Sequence, residues 1–289
     1  MSPTAVLVSC AELPSGDGDD DAVVPALSSL GFSVSWAPWD SSFDFSSADA
    51  VVLRATWDYA DRRPEFLAWC ESVPSLMNPA EVVRWNTDKS YLVELLDAGL
   101  AVVPTSLVAP DSAASLPSFP SSDFVVKPSV GAGSRGAARF AGGADASAHV
   151  AGLHAEGHTA LIQPYQSSVD TDGELALVYL GGIYSHAFSK DAMLGSTMDS
   201  SGLYLSEKLA PASPPEDAVA LAEDVLDAAS ALLGILRAEL LYARVDLVRG
   251  ADGKPLLLEL ELTEPSLGFR QTDPAAAMRF ASAVRQQLA

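Results

Sequence analysis

Ala243-Arg244-Val245-Asp246-Leu247-Val248 and Leu256-Leu257-Leu258-Glu259-Leu260-Glu261-Leu262-Thr263-Glu264-Pro265 are apolar runs broken by charge at alternate positions, separated by a segment containing Gly250-Ala251-Asp252-Gly253. The period of two reads as strand, and the Asp-Gly pair between the runs reads as a hairpin turn. Side chains alternate along a strand, so Arg244, Asp246 and Val248 share one face, as do Glu259 and Glu261. Antiparallel pairing can bring these faces together, gathering three carboxylates and an arginine on one surface of an apolar sheet. Carboxylates so placed repel one another and are costly to bury unless a cation neutralises them. Oxygen-only ligands suit hard divalent ions, above all magnesium beside phosphates. The same pattern also serves a solvent-facing hairpin edge blunted by charge, and the hairpin alone leaves both readings open.

Working outward, the 289 residues are enough for one large or two to three small domains, and 48% hydrophobic content with mixed helix and strand signals indicates an α/β protein. The net charge of −21, from 38 acidic and 17 basic residues, leaves no basic footprint for a nucleic-acid partner. Two cysteines, Cys10 and Cys70, make neither a disulfide framework nor a zinc cluster. The chain opens without a signal-peptide pattern, and no apolar run approaches the ~18 residues of a membrane span. A soluble cytoplasmic protein with no membrane partner is expected.

Residues 4–10 read as a buried strand, and residues 22–30 as a helix whose first turn carries Asp19-Asp20-Asp21, a solvated acidic N-terminus favoured by the helix dipole. Strands follow at residues 32–36 and 48–54, a succession that suggests a small open sheet. The last ends in Arg54-Ala55-Thr56-Trp57-Asp58-Tyr59. Loops beyond the carboxyl ends of such strands bind ligands, and Arg54 is suited to hold a substrate carboxylate. The competing use of Arg54 is a structural salt bridge to Asp58 or Asp61.

Asn78-Pro79 opens a short helix, and Asn86-Thr87-Asp88-Lys89 separates it from a second one at residues 90–98. Lys89 thus sits near a helix N-terminus, where the dipole disfavours a cation unless an anionic ligand is present. A strand start at residues 102–105 and a Ser/Pro/Ala linker at residues 109–122 come next. In Phe124-Val125-Val126-Lys127-Pro128-Ser129-Val130-Gly131-Ala132-Gly133-Ser134-Arg135-Gly136, a lysine interrupts an apolar strand and a glycine-rich loop follows. Glycines let backbone N–H groups approach phosphate oxygens. The loop is neither a Walker A sequence nor a dinucleotide fingerprint, and its alternative use is a simple turn. His149, His154 and His158 lie on or beside a helix at residues 146–157 and read as surface residues, not zinc ligands.

Residues 160–165 read as a strand running into a hinge. Residues 173–180 and 183–190 read as paired strands, residues 191–202 as a mobile loop, residues 214–237 as containing a long amphipathic helix, and residues 274–288 as a final helix.

With its lysines, glycine-rich loop and carboxylate hairpin in this order, the chain resembles the ATP-grasp superfamily, in the branch of prokaryotic glutathione synthetase and similar carboxylate–amine ligases. The resemblance covers nearly the whole chain. It implies an α/β fold with an N-terminal Rossmann-like domain (residues 1–85), then an ATP-grasp domain (residues 86–289) made of a lid at about residues 106–163 and a C-terminal antiparallel sheet, clamping ATP between two sheets. It implies ATP contacts from Lys89 and Lys127, from the loop with Gly131, Gly133 and Ser134, from the hinge Gln163-Pro164-Tyr165-Gln166, and from Glu174. Arg244 resembles the phosphate arginine, with Lys190 assisting, and Asp246, Glu259 and Glu261 resemble the ligands of Mg²⁺, two ions being expected.

The implied chemistry is activation of a small-molecule carboxylate as an acyl-phosphate and its capture by an amine, in a homo-oligomeric enzyme. Two departures are visible. Glu261 stands where the family usually has asparagine, and residues 189–202 lack the Arg- and Gly-rich pattern of glutathione synthetase, which points away from glutathione as product. The stretches Leu53–Tyr59 and Glu259–Leu267 resemble a subgroup that includes the ring-closing ligase of cycloserine biosynthesis, acting on O-ureido-serine. That likeness implies an amino-acid-like substrate handled by Arg54, Thr56, Ser266 and Arg270. A non-catalytic ATP-binding module is the alternative from another class. Retention of the lysines, Arg244 and all three hairpin carboxylates argues against it.

Overall fold

The computed structural model describes residues 2–110, 122–192, 199, 201–204 and 208–288. Most of the expected linker at residues 109–122 and much of the expected loop at residues 191–202 fall outside them.

The apolar runs of the first segment form strands β1 (Thr4–Ser9), β2 (Ser33–Pro38), β3 (Ala50–Ala55) and β4 (Leu76–Met77). They pair in parallel in the order β2-β1-β3-β4. Parallel strands are covered on both faces, which is why β1 and β3 read as continuous hydrophobic runs. Helix α1 (Val23–Ser29) packs on one face and α2 (Arg63–Ser72) on the other. Short helices α3 (Ala80–Asn86) and α4 (Tyr91–Asp97) lead out of this sheet.

A second, antiparallel sheet holds β5 (Ser106–Val108), β6 (Phe124–Pro128), β7 (Ala138–Phe140) and β8 (Ala160–Pro164) in the order β5-β8-β6-β7, with α5 (Ser147–Ala155) on one face. The strand expected at residues 102–105 begins later, at Ser106. Val102 makes only a single bridge to Leu257. The three histidines keep no common ligand: His149 and His154 face the carbonyl oxygens of Gly136 and Val108 at 3.0 and 2.9 Å.

After the single turn α6 (Val169–Asp172), β9 (Glu174–Leu180) and β10 (Ile183–Lys190) open the third sheet, joined by β11 (Leu209–Ala212). The amphipathic helix α7 (Glu216–Leu233) precedes the hairpin β12 (Tyr242–Arg249) and β13 (Pro255–Glu261), and α8 (Ala276–Gln287) ends the chain. The order is β11-β10-β9-β12-β13, all antiparallel.

Alternation along β12 divides its side chains between two environments. Ala243, Val245 and Leu247 enter the core beneath α7. Tyr242 enters the core shared with α8 and the parallel sheet, and Arg244 and Asp246 continue its face. Asn78, fully buried, fastens the parallel sheet to this hairpin: its amide donates to the carbonyls of Tyr242 and Leu262 at 2.9 and 2.7 Å, and its oxygen accepts from the Leu241 N–H at 2.7 Å. Asn86 repeats the device on Leu260 and Leu262, both at 2.7 Å. Among the described residues no helix is long and apolar enough to cross a membrane.

Candidate active site

The small antiparallel sheet and the five-stranded sheet face each other across a cleft of about 310 Å³, closed at one end by loops of the parallel sheet. The hairpin supplies its charged wall. Arg244 lies opposite Glu261 and Asp246 opposite Glu259 in the ladder, and one residue of β13, Leu258, is left unmatched as a bulge. The bulge turns Leu258 into the cleft lining beside Glu259; Val248, farther along β12, is not among the residues that line the cleft.

Each hairpin carboxylate meets a cation. Arg244 grips Asp246 with Nε on Oδ1 and Nη2 on Oδ2, both at 2.9 Å, and its Nη2 also meets Glu261. Lys190 Nζ lies 2.6 Å from Asp246 and 2.8 Å from Glu174. Lys89 Nζ lies 3.1 Å from Glu259 and donates to the Gly131 carbonyl at 2.7 Å, tying the glycine-rich loop to the hairpin. Burial opposes charge on Asp246, yet Arg244 and Lys190 outweigh it and hold its carboxyl below the usual range. Lys89 and Lys127 do the same for Glu259. Burial pushes Glu261 up to about 7, with Asp246 and Glu259 adding to it against the pull of Arg244. Lys127 is lowered by burial, and the neighbouring lysines 89 and 190 push the same way.

Asp246, Glu259 and Glu261 are oxygen donors only, the chemistry a hard divalent cation takes. Their oxygens are engaged by arginine and lysine, and among the described residues no three acidic, histidine or cysteine side chains converge as a ready-made metal cage. The donor set fits magnesium.

The cleft also takes in Lys127, Gly131, Gly133, Ser134, the run Gln163-Pro164-Tyr165-Gln166, Glu174 and Ser266. Gln163 donates to Thr105 Oγ1 at 2.9 Å, and the Tyr165 hydroxyl donates to Asp170 at 2.6 Å. Gly133 sits at φ +60°, where a Cβ would strike the Leu203 carbonyl and the Tyr204 Cα. Only glycine permits this approach.

Arg54, Thr56 and Arg270 are not brought to the cleft. Arg54 is 2% exposed and pairs with Asp20 at 2.9 Å, not with Asp58 or Asp61, while its Nη2 donates to the Pro265 carbonyl at 2.9 Å. Thr56 is fully buried, and Arg270 is an exposed side chain beside Asp21. The acidic run is correspondingly not a solvated turn. Asp19 and Asp20 are buried in a short 3-10 segment, Asp19–Ala22, because their partners arrive from distant segments. Burial pushes Asp20 up to about 6 despite Arg54.

These inner contacts hold a loop. The Arg54, Arg244 and His186 side chains take the carbonyls of Pro265, Ser266 and Leu267 in turn, at 2.9, 2.8 and 2.7 Å. Asp19 accepts the N–H groups of Leu267 and Gly268 at 3.0 and 2.9 Å, and the Ser266 hydroxyl at 3.2 Å. The fixed loop presents Glu264 and Ser266 to the end of the cleft that Asp17, Trp57, Tyr59 and Tyr204 also line. Sequence reasoning quoted Glu264 and Tyr59 within longer stretches but assigned them nothing. A carboxylate just past the hairpin, two residues before Ser266, was the available signal.

A family model described as the N-terminal domain of the D-cycloserine synthetase DcsG matches residues 5–78. The cycloserine biosynthesis protein DcsG of Streptomyces lavendulae is 39% identical over 303 residues, an alignment covering 100% of this chain and 99% of that protein. The crystal structure of D-cycloserine synthetase DcsG superposes with a TM-score of 0.88 at 36% identity, over 99% of this chain and 100% of that one. The ATP-grasp ligase PsnB, bound to a minimal precursor, superposes with a TM-score of 0.59 at 17% identity, over 99% and 100% of the two chains, a likeness of fold.

Proposed function

The chain belongs to the D-cycloserine synthetase (DcsG) family of ATP-grasp ligases, and on that footing we propose that it activates the carboxylate of an O-ureido-serine-like amino acid with ATP and closes it onto a nitrogen of the same molecule. One observation carries this reading: a single cleft gathers Lys89, Lys127, Lys190 and Arg244 around Asp246, Glu259 and Glu261. The adenine would lie along Gln163, Pro164, Tyr165 and Gln166, with Glu174 beside the nucleotide. Lys89, Lys127 and the loop through Gly131, Gly133 and Ser134 would hold its phosphates. Asp246, Glu259 and Glu261 would hold Mg²⁺, and two ions suit their combined charge. Bound there, Mg²⁺ would neutralise charge on the transferring phosphoryl group.

A substrate carboxylate oxygen attacks the γ-phosphorus as the bond to the ADP oxygen breaks. Arg244 and Lys190 would steady the oxygens that gain charge. The oxygen-bound ureido nitrogen of the same molecule then attacks the acyl carbon, losing its proton and closing the ring, and phosphate leaves with the electron pair of the C–O bond. Ser266, on the fixed loop, is suited to position the acyl group. Excluding water from the cleft protects the acyl-phosphate from hydrolysis.

The test is ADP release with Mg-ATP against a panel of amino acids and O-ureido amino acids, with mass spectrometry of the products. ADP formed with one acceptor alone, and a product lighter than that acceptor, supports ring closure. A product mass equal to two acceptors less water would replace it with an intermolecular ligase. Glu259→Gln is expected to keep the fold and lose turnover, and undiminished ADP release by that variant would overturn the metal role.

A further inference from the structure

The carboxylates on the hairpin wall are ion-paired to protein cations, whereas Glu264 feels Lys89 only from beyond ion-pair distance. It is 7% exposed, lines the cleft together with Asp17, Trp57 and Tyr204, and has the Tyr59 phenol beside it. Among the described residues it forms no ion pair, and the same holds for Asp17, which lines the same end. An acidic group enclosed with no cation in contact is costly unless it stays neutral or a ligand brings the charge. Burial pushes the Glu264 carboxyl up to about 8, with Glu261 adding to it against the pull of Lys89.

The surroundings indicate what kind of cation fits. Trp57, Tyr59 and Tyr204 wall this end, and the Trp57 and Tyr204 rings lie 5.0 Å apart. Aromatic faces and a carboxylate together attract an organic ammonium, whereas a divalent metal ion favours several hard oxygens. Tyr59 is itself fixed, stacked on Phe66 at 5.1 Å. Glu264 rides on the loop whose next three carbonyls are held by Arg54, Arg244 and His186. The carboxyl is therefore set at a defined place relative to Arg244, where the phosphoryl group is transferred.

We propose that Glu264, with Tyr59 beside it, receives the ammonium group of the substrate, so that the enzyme selects carboxylates that carry a positively charged amino group. The proposal deepens the ligase reading above and rests on it. Glu264 determines specificity, and Tyr59 positions it.

The test compares kcat/KM for acceptor pairs, each an amino acid or O-ureido amino acid and its des-amino counterpart, in the wild type, Glu264→Gln and Tyr59→Phe. Calorimetric binding of the same pairs to the ADP-loaded protein runs alongside. The wild type is expected to prefer the amino member by on the order of 100-fold, the worth of one charge-assisted contact. Glu264→Gln should collapse that ratio to within about threefold, mostly through KM for the acceptor, while ATP affinity shows that the variant is folded. Tyr59→Phe should lower the ratio by a smaller factor. If O-ureido-serine is not used but another pair is, the proposed function fails and the ammonium role is still judged on that pair. Equal use of both members by the wild type, or an unchanged ratio in Glu264→Gln, overturns the ammonium role. A panel with no turnover and no binding at all overturns both.

Discussion

The carboxylate of Asp19 accepts two buried backbone N–H groups, those of Leu267 and Gly268, and sits within 3.4 Å of a third, that of Arg270. Removing it leaves donors enclosed without a partner, each of which costs more than the bond itself contributed. Asp19→Ala should destabilise the protein by about 2–4 kcal/mol, measured by the denaturant midpoint. Asp21→Ala, two residues on and exposed, should stay within about 0.5 kcal/mol. Glu264 gives the corresponding pH effect. Its carboxyl is raised by burial from 4.5 to about 8, so the folded chain keeps a proton that the unfolded chain has released. The stability that proton brings is complete below pH ~4.5 and is lost as pH rises through about 8. The melting temperature of the nucleotide-free protein should therefore fall between pH 6 and about 8.5, and Glu264→Gln should flatten that fall. A slope unchanged in the variant would assign the effect to other groups. The role of Asp19 could not be read from the sequence, because proximity along the chain is the wrong guide, whereas Glu264 stood just past the hairpin and went unassigned. Asp19 and Asp20 find their partners more than 30 residues away, in Arg54 and in the loop after the hairpin.

At the scale of elements, the hairpin β12–β13 was the most legible part of the chain, since alternation of charge and apolar residues is itself the strand period. The face shared by Arg244, Asp246, Glu259 and Glu261 followed from that period. The bulge at Leu258 did not, because nothing in a run of four leucines and a glutamate marks which residue is extra. The glycine-rich loop was legible as a loop but not as a contact. Its Gly133 touches the backbone of Leu203 and Tyr204, and Arg135 two residues on reaches Asp61 at 2.9 Å and the Trp57 carbonyl at 3.2 Å. The loop is thus seated on the parallel-sheet half as well as on Lys89. Gly133→Ala adds a methyl that the Tyr204 segment cannot accommodate and strains a positive φ. It should reduce kcat/KM for ATP by roughly tenfold or more, as misplacement of positioning groups does. Gly143→Ala also has a positive φ, of +73°, but open space around it, and should cost about 1 kcal/mol of stability with kcat/KM for ATP held within about twofold. Equal kinetic losses in the two variants would show that backbone strain, not the contact with Tyr204, is what matters.

The whole molecule is built on unequal cores. One joins the parallel sheet, α1 and α8 to the face of β9 and β12 that also carries the cleft, and a second joins α4 and α7 to the opposite face of the same strands. Helix α8 bridges the first and last thirds of the chain, so these parts should open together. The small antiparallel sheet has its own core of eight buried hydrophobic residues among those described, including Phe124, Val126 and Ile162. Leu161 and Leu107 reach from it into the core beneath α7 and Ala132 into that of the parallel sheet; the other ties are polar or local: Lys89 on the Gly131 carbonyl, Arg135 on Asp61, and the close approach of Gly133 to the chain at Leu203. A part with fewer apolar contacts to its neighbours than the main cores share opens at lower free energy than the global unfolding. Native-state hydrogen exchange should therefore separate two classes of amide. Those of β9 and β12 should exchange only through global unfolding. Those of β6 and β8 should exchange through a smaller opening that frees the cleft for nucleotide. Mg-ATP, bound to the closed form and not the open one, should slow the second class by the factor 1 + [L]/Kd, about 100-fold at 100 Kd, and Lys127→Ala should abolish that slowing at the same concentration. Uniform protection across all three sheets without nucleotide would mean that the cleft admits ATP without the small sheet lifting, and the loop carrying Gly133 would then be a fixed wall and not a cover.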